Sequence, residues 1–165
     1  MDSSSEQAHL PSRIVDNALK YLMINKYDLL EINTDGGSRG NPGPAAIGVY
    51  AASNGHQVFT LSETIGETTN NVAEYTAVIR SLEAIAEKEI FTEKLKYILD
   101  SELIVKQITG KYKIKKAHLG ELREQIVKLV NSLKEKGQIK LMTFTNVPRE
   151  QNKNADKLVN EALDK

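Results

Sequence analysis

Four acidic residues lie where side chains from separate elements of an α/β protein could meet. Asp35 and Asp100 each end a predicted strand. Glu74 lies one turn into a long predicted helix, and Asp156 lies near the start of the last one. Functional groups in open α/β sheets gather at strand ends and helix starts. Converging carboxylates would repel one another, and bound divalent cations would relieve that repulsion.

The donor atoms of these four residues favour a hard cation. The chain contains no cysteine, and oxygen ligands without a nearby histidine suit Mg²⁺ or Mn²⁺ better than zinc. Two such ions about 4 Å apart are the usual apparatus of in-line phosphodiester cleavage. Taken singly, each acid also suits a structural role. Asp35 would serve in a turn, Asp100 as a helix cap and Asp156 as a complement to the helix dipole. Glu74 would be a solvated helix residue.

The spacing of apolar residues predicts a single α/β unit. Strands are predicted over 27–35, 45–53, 56–65, 94–100 and 138–147. Helices are predicted over 13–24, 70–88, 102–109, 118–136 and 152–164. The pair Asn54-Gly55 is a strong hairpin signal, so the first three strands should form an antiparallel meander. The order of the elements then implies a five-stranded mixed sheet flanked by helices.

An N-terminal extension, residues 1–28, precedes a domain predicted to cover 29–165. Its polar start, residues 1–11, is expected to be disordered. Ser12 is the expected cap of the helix over 13–24, and the apolar stripe of that helix is expected to pack on the core. Docking to a partner is the alternative for this helix.

Composition is that of an ordinary globular domain. The 165 residues suit one domain with one core, and 40% of them are hydrophobic and 27% charged. The absence of cysteine excludes disulfides, thiolate metal sites and a cysteine nucleophile. The first residues lack the basic start and apolar core of a secretory signal, and no apolar run approaches the ~20 residues of a membrane span. We therefore expect a cytoplasmic protein with no membrane partner.

A basic segment stands out against a net charge of zero. Zero net charge disfavours a dedicated nucleic-acid-binding protein. Within eleven residues that contain no acid, however, lie Lys106, Lys111, Tyr112, Lys113, Lys115 and Lys116. Such a patch suits the phosphates of a nucleic-acid backbone, and a solvated loop is the alternative.

Four segments, in this order, resemble the motifs of type I ribonuclease H. They read TDGGSRGNPGPAAIG, TTNNVAEYTAVIRSLEAI, LDSELIVKQITGKYKIK and VPREQNKNADKLVNEAL, and the resemblance covers about 29–165. It implies a ribonuclease H-like fold. It also implies an endonuclease that cuts the RNA strand of RNA–DNA hybrids with two Mg²⁺ ions, for which Mn²⁺ is a substitute. The products would carry 5′-phosphate and 3′-hydroxyl ends.

The resemblance also implies roles for individual residues. The catalytic metal ligands of the family correspond to Asp35, Glu74, Asp100 and Asp156. Its contacts with RNA 2′-hydroxyls, which distinguish RNA from DNA, correspond to Asn41, Asn70 and Asn71. A position that holds a DNA phosphate corresponds to Thr69. Helix capping is the alternative for Asn70 and Asn71. The glycines of GGSRGNPG are expected to let the backbone approach a ligand closely.

The last motif departs from the family pattern. Many members carry a histidine before the final acid, whereas VPREQNKNAD has none, as in the histidine-less bacterial and archaeal-like members. Arg149 is the predicted catalytic substitute, with Asn152 as the alternative. The rival functions are additional cleavage of double-stranded RNA, a catalytically silent hybrid-binding module, and a structural or partner-binding domain. The intact set of four acids argues against a silent module. A monomer is expected.

Overall fold

Five strands and five α-helices make up residues 10–165, the part of the chain that the computed structural model describes. The strands are β1 (Lys26–Ser38), β2 (Gly43–Ser53), β3 (His56–Thr68), β4 (Phe91–Leu99) and β5 (Ile139–Asn146). The helices are α1 (Ser12–Ile24), α2 (Asn70–Glu87), α3 (Glu102–Ile108), α4 (Ala117–Glu135) and α5 (Lys153–Leu163). All ten predicted elements are present, with boundaries that differ by at most three residues. A short 3-10 turn at Arg149–Gln151 was not predicted.

The five strands form one mixed sheet in the order β3-β2-β1-β4-β5. The first three strands are antiparallel neighbours, and the turn between β2 and β3 contains Asn54 and Gly55, both with positive φ. β4 pairs in parallel with β1, and β5 pairs in parallel with β4. The predicted meander and mixed sheet are therefore confirmed.

Helices cover both faces of this sheet. On one face, Leu82 of α2 and Ile126 of α4 are buried in the same apolar cluster as Ile32 of β1. On the other face, α5 packs through Val159 and Ala162. Each acid of the predicted site belongs to a strand, follows one directly, or belongs to a helix packed on one of these faces, so the sheet sets their relative positions. None of the helices in residues 10–165 is long and apolar enough to cross a membrane.

Helix α1 begins differently from its prediction. Pro11 is the N-cap, no side chain caps the helix, and the backbone carbonyl of Pro11 accepts from the amide of Ile14 at 2.9 Å. The preset φ of proline suits the entry to a helix, so the helix starts one residue early and Ser12 lies inside it. The expected Ser12 cap is therefore wrong.

The described part of the α1 stripe does not pack on the core. Ile14 and Leu19 are 54% and 52% exposed, and Val15 is also exposed. The expected packing is therefore wrong for these side chains, because the sequence pattern of an amphipathic helix does not say what covers its apolar face. The side chains of residues 20–24 and the whole of residues 1–9, with most of the expected disordered start, lie outside the described part of the chain.

Candidate active site

Asp35 lies where two neighbouring strands separate. The parallel pairing of β1 with β4 ends at Asn33, whereas the antiparallel pairing of β1 with β2 continues to Ser38. The predicted end of the strand at Asp35 is therefore wrong, because β2 holds the next three residues extended. β4 ends at Leu99, so Asp100 follows directly at the end of the neighbouring strand.

Helix α2 approaches β1 closely because the residue after Asp35 is glycine. A Cβ atom on Gly36 would lie 2.2 Å from the backbone carbonyl carbon of Ala73 and 2.4 Å from the backbone nitrogen of Glu74. Any side chain at this position would push the helix away. The close approach expected of this glycine is therefore to α2 and not to a ligand, and it brings Glu74 to Asp35.

Helix α5 approaches the opposite face of the sheet in the same way. Gly48 of β2 pairs with Asp35, and a Cβ atom on Gly48 would lie 2.1 Å from the carbonyl oxygen of Ala155. Asp156 is the next residue of α5. Two glycines on opposite faces of the sheet thus admit the two helices whose acids accompany Asp35.

Three of the four predicted acids form a tight cluster. Carboxylate oxygens of Asp35, Glu74 and Asp100 lie within 4.8 Å of one another. Asp156 lies outside this cluster but lines the same cavity of about 370 Å³, together with Arg149. We call this the acidic cavity. Within the described residues, Oε2 of Glu74 is buried and has no hydrogen-bond partner, which suits an atom that binds a cation.

Burial and mutual repulsion raise the pKa values of two of these acids. Burial, followed by the charges of Asp100 and Asp156, raises the pKa of Asp35 to about 7, and the charge of Arg149 partly opposes this rise. Burial, followed by the charges of Asp35 and Asp100, raises the pKa of Glu74 well above its usual value. Without bound cations the cavity would therefore hold protons near neutral pH, and cations would replace them. The all-oxygen donor set fits Mg²⁺ or Mn²⁺.

Comparison with known proteins identifies the family of the chain. Residues 33–162 match the family described as reverse transcriptase-like. Ribonuclease HI of Halobacterium salinarum is 41% identical over 131 residues, which are 79% of this chain and 62% of that protein. The bifunctional protein Rv2228c of Mycobacterium tuberculosis is 36% identical over 135 residues, which are 81% of this chain and 35% of that protein. The chain thus spans only part of the length of these relatives.

Solved structures agree with this match. The crystal structure of RNase H1 from Halobacterium salinarum aligns with a TM-score of 0.74 and 39% identity, over 82% of this chain and 98% of the crystallised chain. The chain belongs to the type I ribonuclease H family. LC11-RNase H1, isolated from compost, aligns with a TM-score of 0.72 and 43% identity in its complex with an RNA/DNA hybrid, over 82% of this chain and 96% of the chain in that structure. The predicted ribonuclease H-like fold is confirmed.

The loop that lacks the histidine found in many family members contains two candidate substitutes. The side chain of Arg149 is 78% exposed and lines the acidic cavity, and its Nη2 atom lies 3.4 Å from Oδ1 of Asp156. Asn152 is fully buried. Its Nδ2 donates to the carbonyl oxygen of Thr34 at 2.9 Å, and its Oδ1 accepts from Asn33 at 3.0 Å. Asn152 therefore has no polar side-chain atom free to face a substrate, and Arg149 is the candidate that reaches the cavity.

Three side chains that were predicted to contact RNA or DNA accept hydrogen bonds from backbone amides near the β1–β2 turn and the start of α2. Thr69 is the N-cap of α2, and its hydroxyl accepts from the amide of Val72 at 3.3 Å. Oδ1 of Asn41 accepts from the amide of Asn70 at 3.0 Å, and Oδ1 of Asn70 accepts from the amide of Ser38 at 2.9 Å. Capping as the role of Asn70 is therefore wrong. Neither side-chain nitrogen has an acceptor within residues 10–165, so both exposed amides keep their N–H donors for a ligand.

A second cavity, of about 520 Å³, brings Asn71 together with the predicted basic segment. It is lined by Asn71, Leu103, Gln107, Lys111, Tyr112, Lys113, Lys115, Lys116 and Leu119. We call this the lysine groove. Its four lysines are exposed and form no salt bridge with other residues of the described chain. Lys106 differs, because its Nζ lies 2.5 Å from Oε1 of Glu102 and 4.8 Å from the centre of the Tyr112 ring.

Arg39 is a residue of the acidic cavity that the sequence did not identify. It lies in the turn between β1 and β2 and lines the cavity. Its Nη2 lies 2.5 Å from Oδ1 of Asp164, which follows α5. Its place inside GGSRGNPG was the available signal, but a single arginine in a turn is most often a solvated residue.

Proposed function

We propose that this protein is an endonuclease that hydrolyses the RNA strand of RNA–DNA hybrids with bound divalent cations. The observation that carries the proposal is the cluster of Asp35, Glu74 and Asp100 within 4.8 Å, with one buried Glu74 oxygen that has no hydrogen-bond partner in the described chain. A protein that only binds nucleic acid gains nothing from clustered acids, because they repel phosphates. The complex of LC11-RNase H1 with an RNA/DNA hybrid supports the choice of substrate.

Acids from four separate parts of the chain would hold the cations. Asp35, Glu74 and Asp100 supply oxygens from one cluster, and Asp156 supplies oxygens from the same cavity. We propose two Mg²⁺ ions, with Mn²⁺ as a substitute, because oxygen donors suit both metals. When bound, a pair of such ions supplies the positive charge that favours the attacking and leaving oxygens of an in-line displacement. The expected products carry 5′-phosphate and 3′-hydroxyl ends.

Arg149 would act at the rim of the acidic cavity. Its guanidinium lies beside Asp156 and is mostly exposed, so it is free to meet a phosphate that enters the cavity. A fixed positive charge at this point would stabilise negative charge that develops on the phosphate, or help the product to leave. This role replaces that of the histidine found in many family members.

Asn41 and Asn70 would recognise the RNA strand. Because backbone amides hold their side-chain oxygens, their amide nitrogens are oriented before the substrate arrives. An N–H donor can bond to a 2′-hydroxyl, which DNA lacks. The Thr69 hydroxyl accepts from its helix and still has a proton to donate to a phosphate, so capping and substrate contact are compatible.

The lysine groove would bind backbone phosphates of the hybrid. Lys111, Lys113, Lys115 and Lys116 line it and are exposed, and Asn71 belongs to the same groove. Exposed lysines without ion-pair partners can neutralise phosphates, and this releases the counterions that are condensed on the nucleic acid. Lys106 would contribute less, because its charge is already paired with Glu102.

Strand-labelled duplexes test the proposed function. An RNA–DNA hybrid, double-stranded RNA and double-stranded DNA are each incubated with Mg²⁺, Mn²⁺ or EDTA. We expect cleavage of the RNA strand of the hybrid with either cation, and no cleavage with EDTA or of DNA. Cleavage of double-stranded RNA would widen the substrate range, because A-form minor grooves are alike. Hybrid binding without cleavage under all three conditions would contradict the proposal and show a silent binding module.

A further inference from the structure

Asn152 joins the segments that carry two charged residues of the acidic cavity. It is 0% exposed and stands between the 3-10 turn at Arg149–Gln151 and α5. Its backbone nitrogen donates to the carbonyl oxygen of Arg149 at 3.0 Å. Its own carbonyl oxygen accepts from the amide of Asp156 at 3.2 Å. The backbone positions of both charged residues therefore depend on where Asn152 is held.

The side chain of Asn152 does not cap the helix that follows it. Asparagine is among the preferred N-caps, yet α5 has no side-chain cap hydrogen bond. Nδ2 donates instead to the carbonyl oxygen of Thr34 at 2.9 Å, and Oδ1 accepts from Asn33 at 3.0 Å. Thr34 immediately precedes Asp35. The amide thus bonds α5 to the strand segment that carries Asp35, and a buried amide satisfied on both atoms favours one fixed arrangement.

We propose that Asn152 is a positioning residue that sets Asp156 relative to Asp35 and thereby sets the cation affinity of the acidic cavity. This inference rests on the proposed function of that cavity. Asp156 lies on α5 and outside the tight cluster of the other three acids, so its distance from them depends on how the start of α5 is attached to β1. Removing the groups that hold a metal ligand typically lowers metal affinity or activity about 10–100-fold.

Two substitutions break the proposed link in different ways. Asn152→Ser removes the bonds to β1 but supplies a good N-cap, so α5 should still form. Asn152→Ala removes both the link and any cap. Asn33→Ala removes only the bond to Oδ1 and leaves Asn152 in place, so it keeps the inference testable if both Asn152 variants unfold.

Gln138 offers a matched control for the loss of a buried amide. It is 5% exposed, and its Nε2 donates to the carbonyl oxygens of Ile85 at 3.1 Å and Ile90 at 3.0 Å. It stands just before β5, at the opposite end of the parallel strands from the acids. Gln138→Ala therefore removes a similar number of buried hydrogen bonds without touching the acidic cavity.

Cation binding without substrate is the decisive readout. Mn²⁺ is titrated calorimetrically into each variant below its melting temperature, and hybrid cleavage is measured against Mg²⁺ concentration. In both Asn152 variants we expect Mn²⁺ to bind at least about tenfold more weakly than in the wild type. The Mg²⁺ concentration needed for half-maximal cleavage should rise to match. Asn33→Ala should show a smaller shift of the same sign. Gln138→Ala should melt at a lower temperature but keep wild-type cation affinity.

Three outcomes would overturn the inference, and they differ from failure of the proposed function. Wild-type Mn²⁺ affinity in Asn152→Ser, or an equal loss in Gln138→Ala, would show that Asn152 stabilises the fold only. If both Asn152 variants unfold, wild-type affinity in Asn33→Ala overturns it. Wild-type protein that neither binds Mn²⁺ nor cuts the hybrid would remove the proposed function and the inference together.

Discussion

The acidic cavity and the lysine groove are built in opposite ways. The acids of the cavity stand on backbone packed so closely that Gly36 and Gly48 have no room for a side chain. The lysines of the groove are exposed, and they lie in the segment between α3 and α4 or at its end. Cation ligands must meet within a few tenths of an ångström, whereas phosphates respond to charge over longer distances. The difference suits the proposed roles of the two regions, a rigid metal site beside an adaptable surface for phosphates.

The charged side chains of the two regions also differ in their surroundings. The acids of the cavity face one another, and burial raises the pKa of Asp35 to about 7. The four lysines of the groove form no salt bridge within the described chain and stay in water. Removing a single acid from the cavity should therefore abolish cleavage almost completely, whereas removing a single lysine from the groove should lower hybrid affinity only in part. The predictions below test this contrast.

The largest expected effect is in the cavity, at Asp35 and Asp100. Asp35→Asn and Asp100→Asn should each abolish hybrid cleavage at any practical Mg²⁺ concentration, because an amide supplies a weak neutral oxygen in place of a full charge. Hybrid affinity should be kept or rise, since a negative charge that repels phosphates is lost. Cleavage time courses, binding titrations and thermal melts check this for each variant. Cleavage near the wild-type rate, or a collapsed melt, would contradict the assignment.

A smaller effect is expected at the rim of the cavity. Arg149→Ala should lower turnover about 100–1,000-fold, the loss typical of removing one charge-stabilising group, while hybrid affinity changes little. Arg149→Lys keeps the charge but not the planar guanidinium, so its turnover should lie between that of the wild type and that of Arg149→Ala. Single-turnover kinetics with a binding titration separate the two quantities. Wild-type turnover in Arg149→Ala would remove this residue from the reaction.

In the lysine groove we expect a graded loss of affinity. Changing Lys113, Lys115 and Lys116 together to alanine should weaken hybrid binding, and each lost phosphate contact should lower the log–log salt slope by about 1. A matched control is the triple alanine variant of Lys128, Lys134 and Lys136, which are exposed and outside the groove. Equal effects of the two triple variants would reduce the groove to a solvated loop.

The smallest effect concerns the stability of the metal-free protein. Burial raises the pKa of Asp35 from 3.8 to about 7, so between these values the folded state binds a proton that the unfolded state has lost. Stability should therefore fall as the pH rises through this window. Asp35→Asn lacks this loss, so its melting temperature should exceed that of the wild type by several degrees at pH 7 and by much less at pH 4. Parallel melting curves across the pH range would contradict the raised pKa.

Much of this contrast could be predicted from the sequence. Apolar spacing identified the strands and helices because their periods differ, and acids at element ends indicated Asp35, Glu74, Asp100 and Asp156 as one candidate site. The structure brings three of these acids together and leaves Asp156 in the same cavity but outside the cluster. That distinction depends on how α5 packs against the sheet, which local pattern does not encode.

Other features depend on contacts between residues far apart in the chain. In the sequence, Asn152 is the alternative to Arg149 as the catalytic substitute, yet its amide bonds to β1, more than one hundred residues away. Lys106 counts as one more positive charge in the sequence, and only the fold shows it paired with Glu102. The apolar stripe of α1 predicted packing, but Ile14 and Leu19 are exposed, because a stripe indicates an interface without naming its partner.

The most direct test of the central claim is a calorimetric titration of Mn²⁺ into the substrate-free wild type and Asp35→Asn at pH 6 and pH 8. The account predicts saturable binding in the wild type that is tighter at pH 8, with protons released on binding near pH 6, because cations displace protons from acids whose pKa values are raised. It predicts no comparable binding in Asp35→Asn. Equal Mn²⁺ binding by the two proteins would contradict the claim that the acidic cavity is the metal site.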